Sequence, residues 1–171
     1  DNWLPSVQTL GDMRAQANVI RRASLRSVLE STPAGKQTQR GLHTEAVAKM
    51  ATIMQAYDKL VSSPEEADLN QKIKATWAEY LAVDKRMMEL SEAGDAQFAE
   101  ARALSVGDSA KTFAAATEVI TSSVELNRAG AAAARTESQS TYKQAVVLAG
   151  VLVLAALALG VGIAVVLTRS I

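Results

Sequence analysis

Residues 145–167 read AVVLAGVLVLAALALGVGIAVVL, a run with no charged residue and no proline. A bilayer core about 30 Å thick needs roughly 20 apolar residues at about 1.5 Å rise each, so the run predicts a transmembrane helix. Tyr142 and Lys143 precede it, and Thr168, Arg169 and Ser170 follow. Tyr142 suits an interfacial aromatic anchor and Arg169 a cytoplasmic stop charge. The C-terminal position excludes a signal peptide. A tail anchor or lipid-anchor signal would require Ile171 to be the natural end, and the close at Thr168–Ile171 reads instead as an interrupted chain. Ahead of the run, Ser109–Lys143 holds no helix breaker except Gly130, which a helix tolerates. One long helix is therefore expected to start far from the membrane and continue into it.

Composition narrows the classes. The chain has 171 residues, with 18 Lys and Arg against 18 Asp and Glu. Balanced charge leaves no polybasic footprint for nucleic acid. Cysteine is absent, which removes disulfides, thiolate metal sites and thiol nucleophiles. That absence is compatible with a periplasmic domain. Ala, Leu, Val, Met, Glu, Lys, Gln and Arg dominate, a helix-forming mixture, and no alternating run reads as a strand.

Four amphipathic stretches follow in order. Asp1-Asn2-Trp3-Leu4-Pro5-Ser6 opens the first, with Trp3 suited to a membrane–water boundary or to a plain helix staple. Leu4, Val7, Leu10, Ala17, Ile20, Ser24 and Val28 recur at helical steps up to about Ser31. Thr32-Pro33-Ala34-Gly35 reads as a turn. The second helix is expected from Lys36 to Val61, with Leu42, Ala46, Met50, Ile53, Tyr57 and Leu60 inward. Ser63-Pro64-Glu65-Glu66 is the strongest local signal: Ser63 as N-cap, Pro64 as first helical residue and Glu66 closing a capping box. The third helix turns Leu69, Ile73, Thr76, Trp77, Tyr80, Val83, Met87 and Leu90 inward. Ala93-Gly94-Asp95 and Val106-Gly107-Asp108 break the pattern, with a kink or short extra helix expected between them. Asp108 or Ser109 is expected to cap the fourth helix, whose inner face holds Phe113, Ala116, Ile120, Val124, Asn127, Ala131 and Ala134. Short turns force antiparallel neighbours, which makes an all-α, up-down-up-down antiparallel four-helix bundle, its fourth helix continuous with a transmembrane helix. The domains are then residues 1–143 as the bundle, 144–168 as the membrane helix and 169–171 as the start of a linker.

Asn2-Trp3-Leu4-Pro5-Ser6, the Trp77-x-x-Tyr80 pair, Gly94, and Leu126-Asn127 on a helix running into the membrane together resemble the four-helix-bundle sensor domain of methyl-accepting chemotaxis proteins. Thr168-Arg169-Ser170-Ile171 resembles the junction into a HAMP linker. The resemblance covers the whole chain. It implies a chemoreceptor of the bacterial inner membrane with its sensor domain in the periplasm. It also implies a homodimer, and coupling to a cytoplasmic adaptor and kinase through regions beyond this sequence. The same bundle occurs in sensor kinases and cyclic-nucleotide enzymes, so the output stays open.

Arg21, Arg22 and Arg26 lie within a few turns of the tip far from the membrane. Guanidiniums so close repel unless acids or a ligand neutralise them, and their forks match carboxylates. One reading is a site for a small organic acid, with di- and tricarboxylates favoured. The competing reading is an exposed basic face paired with glutamates. In related aspartate-type receptors, arginines on the upper first helix and a threonine on the fourth hold a dicarboxylate between subunits. The resemblance and the height along the bundle add Thr117, Thr121 and Tyr80, with Tyr80 favoured where a ligand binds within one subunit. Lys85 with Arg86, and Arg14 with Asn18, read as solvated faces. His43, the one histidine, reads as a surface residue and a poor metal ligand. No catalytic triad or phosphate loop is present, so no enzyme, metal or cofactor is expected. Ala156-x-x-x-Gly160-x-x-x-Ala164 would let membrane helices approach closely, or simply reflects abundant small residues. A membrane-anchored bundle that binds a partner protein, and no metabolite, is the competing function.

Overall fold

The structure, a computed structural model, describes the backbone of residues 3–169 and all of their side chains except those of 95, 155, 157–159, 161, 162, 164, 166, 167 and 169. Asp1, Asn2, Ser170 and Ile171 lie outside it, with the parts of the opening and closing motifs that fall on them. The chain divides into two units, Asp1–Ala129 and Gly130–Ile171. Its helices are α1 (Trp3–Leu29), α2 (Pro33–Asp58), α3 (Pro64–Glu92), α4 (Phe98–Val106) and α5 (Asp108–Arg169), with a 3-10 turn at Asp95–Gln97.

Helix ends follow local chemistry. Thr32 is extended and its hydroxyl accepts the Gly35 N–H at 3.1 Å, while Pro33 occupies the first turn. The stretch read as a turn is therefore the start of α2. Proline already has the φ a first turn needs and no N–H to leave unpaired. The reversal is confined to Glu30–Thr32, where the Glu30 carboxylate takes the Thr32 N–H and hydroxyl at 3.1 and 3.0 Å. At its other end α2 stops at Asp58 rather than Val61, because the Leu60 N–H turns back to the Tyr57 carbonyl at 2.8 Å. The capping box at Ser63 forms as expected. Ser63 Oγ accepts the Glu66 N–H at 3.1 Å, and Glu66 Oε2 accepts the Ser63 N–H at 3.2 Å.

The short extra helix is α4. Gly94 ends the α3 segment with φ +102°, a conformation costly for any residue with a Cβ. At the next break Gly107 serves both neighbours. Its N–H bonds the Ala103 carbonyl and its carbonyl accepts the Lys111 N–H, each at 3.0 Å. Asp108 already lies inside α5, so neither it nor Ser109 is the cap.

Polar pairs set the directions of the first unit. Lys36 reaches Ser91, His43 reaches Asp84, and Asp58 receives Asn70, so α2 and α3 run antiparallel. Gln16 bonds the Ala46 carbonyl, Ser27 meets Ser91, and Arg21 reaches Ser105 and Ser109. The main core draws Leu10, Met13, Ala17 and Ile20 from α1 and Ala46, Met50 and Tyr57 from α2. It takes Ile73, Trp77 and Tyr80 from α3 and Ala116 and Ile120 from α5. A smaller cluster of Val28, Met87 and Ala101 closes the end near α4. Two large apolar residues of the expected stripes are exposed instead of buried. Leu4 is 75% exposed and Leu42 is 48% exposed, each turned to the outer side of its helix.

The second unit is helical and belongs to α5. Its apolar residues Val146, Val147, Leu148, Val151, Leu152, Val153 and Leu154 are exposed, unlike those of a globular core. Among the described residues no helix is long and apolar enough to cross a membrane. Several side chains of the 145–167 run lie outside them, including Ala164 of the small-residue pattern.

Two glycines separate backbone need from open space. Gly41 sits mid-helix in α2, with nothing within 4 Å of where an alanine methyl would stand. Gly41→Ala is expected to stabilise the fold by up to about 1 kcal/mol, and Gly94→Ala to destabilise it by a similar amount. Thermal unfolding of the two variants checks the opposite signs.

Candidate functional site

The chemistry of the bundle gathers where α1, α2, α3 and α5 meet, at the end of the main core that holds Trp77 and Tyr80. α3 presents Ile73, Trp77, Tyr80, Asp84 and Met87 at helical steps, so Asp84 takes a core position and is fully buried. A buried carboxylate needs partners. His43 of α2 approaches Asp84 Oδ2 at 2.6 Å, and the Tyr80 hydroxyl donates to Asp84 Oδ1 at 3.1 Å. Tyr80 is itself enclosed, and burial, aided by the Asp84 charge, pushes its ionisation far above the ordinary range against a smaller opposing effect of Arg21.

Aromatic packing joins this group to α5. Trp77 and Tyr80 stand 5.0 Å apart at 45°, and Tyr80 meets Phe113 at 5.3 Å, edge to face. The Arg21 guanidinium lies 5.3 Å from the Phe113 ring centre. Its Nη2 donates to the Ser105 carbonyl at 2.9 Å and its Nη1 to the Ser109 hydroxyl. Arg21 thus ties α1 to α4 and to the first turn of α5.

The expected site residues divide. Arg21 and Tyr80 come together around Phe113. Arg22 and Arg26 are exposed on the outer side of α1, and neither closes an ion pair among the described residues. Thr117 and Thr121 are half-buried on α5, and their hydroxyls bond back to the Phe113 and Thr117 carbonyls at 2.9 Å each. The solvated faces form as read, with Arg86 on Glu100 at 2.9 Å and Lys85 near Glu89 at 3.9 Å.

His43 departs from its reading as a surface residue. It is half-buried against Asp84, an acid on another helix that no in-helix spacing could reveal. The expected stripe turned Val83 inward and passed over Asp84, which is the buried one of the two; the signal that could have found it is the one helical step between Tyr80 and Asp84. A charge at a stripe position announces a buried partner elsewhere. Among the described residues no group of acids and histidines could hold a metal ion.

Two cavities lie at the end of the bundle where α1 turns into α2. One of about 520 Å³ is lined by Ser31, Pro33, Lys36, Gln37, Arg40, Glu92 and Gly94. A neighbour of about 260 Å³ shares Ser31, Lys36 and Gly94 and adds the apolar Val28, Leu29 and Phe98. Arg40 pairs with Glu92 across the rim of the larger one, and Lys36 Nζ donates to the Ser91 carbonyl.

The comparisons with known proteins agree with this architecture. Residues 1–142 match the family model described as a four helix bundle sensory module for signal transduction. No curated protein matches the chain.

Tyr57 shares the raised ionisation of Tyr80, through burial first and the Glu66 charge second. The unfolded chain gives up both protons near about pH 10, whereas the native fold holds them. Stability is therefore full below that pH and falls as the pH climbs above it. Ultraviolet titration of the native protein should show two late tyrosines, and Tyr80→Phe should remove the later step. Ionisation of every tyrosine together near pH 10 would contradict this account.

Proposed function

The chain belongs to the four-helix-bundle sensory modules of methyl-accepting chemotaxis proteins, and from that premise we propose that it senses a small organic acid for chemotaxis. The observation that carries the ligand class is the trio Arg21, Arg22 and Arg26. Some cations of the bundle find acids, among them Arg40 with Glu92, Arg86 with Glu100 and Lys74 with Asp58, while single exposed ones such as Arg14 and Lys49 do not; what sets the trio apart is three arginines within six residues. None of the three arginines closes an ion pair among the described residues. A carboxylate supplies the missing charge and fits the guanidinium fork. Di- and tricarboxylates engage more than one arginine and are favoured. Thr117 and Thr121 lie further along α5 with acceptor capacity left on their hydroxyls.

The remaining parts of the reading follow from α1 and from the apolar run. Leu4, Gln8, Gly11, Ala15, Asn18, Arg22 and Leu29 are exposed along one stripe of α1, spaced as in a coiled-coil seam. Gly11 and Ala15 offer little bulk at its middle. This stripe supports a homodimer through α1, with Arg22 at the seam and the ligand shared between subunits. In this reading residues 145–167, the apolar last part of α5, anchor the chain as a transmembrane helix, and the sensor domain lies in the periplasm as part of an inner-membrane receptor. Ligand binding favours one of two positions of α5, and the bias reaches a cytoplasmic adaptor and kinase through regions beyond this sequence. The ligand moves that balance only as far as its affinities for the two positions differ.

A thermal-shift screen of the full chain in detergent against di- and tricarboxylates tests the reading. A true ligand at about 100 times its Kd should stabilise the fold by about 2.7 kcal/mol. Arg22→Ala and Arg26→Ala should lose that shift while keeping native helicity by circular dichroism. Unchanged affinity in both variants would remove the arginines from the site, and silence across the panel would favour a protein partner.

A further inference from the structure

At the level of the α2–α3 turn the core of the first unit changes character. Tyr57, Ser6, Ser123 and Asn127 have no exposure, Glu66 has 1% and Asn70 has 8%. Yet among the described residues no well-aligned hydrogen bond reaches the Tyr57 hydroxyl, Ser6 Oγ, Ser123 Oγ, Glu66 Oε1, Asn70 Oδ1 or Asn127 Oδ1. The contrast with Tyr80 is direct. Tyr80 is equally enclosed, and its hydroxyl is spoken for by Asp84.

These atoms occupy one layer. The Glu66 charge opposes ionisation of Tyr57, and the Asn127 and Ser123 side chains stand close enough to its hydroxyl to ease it, though not in a well-aligned hydrogen bond. Asn70 bonds Asp58, the neighbour of Tyr57, at 2.7 Å. Gln16 bonds the Ala46 carbonyl, and equal steps from there along both antiparallel helices bring Ser6 level with Ala56, beside Tyr57. So α1, α2, α3 and α5 all contribute.

The free atoms are short of donors. Asn70 Nδ2 is committed to Asp58 and Asn127 Nδ2 to the Ser123 carbonyl, which leaves both amide oxygens as the open ends. Glu66 Oε2 already accepts from Ser62 and Ser63, so Oε1 is a third bare acceptor. The hydroxyls of Ser6, Tyr57 and Ser123 could donate, but among the described residues none is aligned on an acceptor, although Tyr57 stands near Asn127 and Ser123. Each buried polar atom left bare carries its full desolvation cost, and several in one layer would offset most of a domain's marginal stability. A small donor-bearing guest relieves this, and buried water is the guest that polar interiors ordinarily hold.

We propose that Ser6, Tyr57, Glu66, Asn70, Ser123 and Asn127 enclose ordered internal water, forming a hydrated layer in the core around α5. Its value to signalling rests on the sensor reading above. Water can exchange partners, so α5 can shift at this level without stranding Ser123 or Asn127, which a dry core would not allow.

Hydroxyl radicals generated from water by an X-ray pulse, read out by mass spectrometry on the full chain, test the layer. Buried side chains react only where water is already beside them, and Tyr80 serves as the equally buried dry control. Tyr57 should be modified several-fold faster than Tyr80. A variant carrying Ser123→Ala and Asn127→Leu, with helicity checked by circular dichroism, should bring Tyr57 down to the Tyr80 rate. Equal rates in the native protein would overturn the proposal, and that comparison stands even if the variant fails to fold. A fast Tyr57 unchanged in a folded variant would also overturn it, by pointing to fraying of the α2 end. So would saturable stabilisation by sodium or calcium over choline at equal ionic strength, which would assign the oxygens to a cation. None of these readings needs the chemotactic ligand, so the layer and the sensor function fail independently.

Discussion

A carboxylate with no exposure is the constraint on which the sensory bundle depends. Asp84 sits where an apolar side chain would pack, and an isolated charge there would cost several kcal/mol. Only one alignment relieves that cost. α2 must bring His43 to 2.6 Å, and α3 must hold Tyr80 one turn back at 3.1 Å. Apolar stripes alone tolerate slippage, since Met, Leu and Ile interchange at small cost. A buried acid does not, because a step in either direction leaves it bare. Its worth therefore lies in fixing which turn of α2 faces which turn of α3, more than in net stability. Tyr80 extends the same register to α5 by packing on Phe113, and Arg21 extends it to α1 by stacking on that ring.

Seen from α5, the first unit has two polar levels of opposite kind. The upper one, around Arg21, Tyr80 and Asp84, is closed, with each charged or hydroxyl group matched to a named partner. The lower one, around Tyr57 and Asn127, leaves its oxygens bare. Between them lies an apolar stretch that includes Met50, Ile73 and Ile120. A helix held firmly at one end and loosely at the other moves at the loose end first. If the proposed layer holds water, shifting α5 near Asn127 breaks no direct bond to another helix, whereas near Ser109 the Arg21 bonds would have to break.

Much of this was legible in the residues, and the reasons differ from place to place. The capping box at Ser63, the break at Gly94 and the short helix after it are local signals, and local signals survive folding. The stripes of α3 and α5 were legible because helical periodicity names a buried face. Thr32–Gly35 misled because proline marks both turns and first turns of helices, and only the Thr32 hydroxyl bond tells them apart. Leu4 and Leu42 misled because an apolar residue beside the stripe has the same type as one on it. His43 with Asp84, and the layer around Tyr57, could not be read at all. Each is made by residues on different helices, and their meeting depends on a register that no single helix encodes.

The arginines of α1 show why the register matters for sensing. Arg21 and Arg22 are adjacent, so their side chains leave the helix about 100° apart, given 3.6 residues per turn. One turns inward to Ser105 and Ser109 and the other outward beside Arg26. On the proposed reading, an acid drawn to Arg22 and Arg26 adds a negative charge close to Arg21. That charge competes with the neutral partners that now hold Arg21, a serine hydroxyl and a backbone carbonyl. A carboxylate is the stronger acceptor. The inner arginine is thus the element through which an outer ligand could alter the grip on the first turn of α5. It would do so without itself entering the core, where His43, Tyr80 and Asp84 already fill the space.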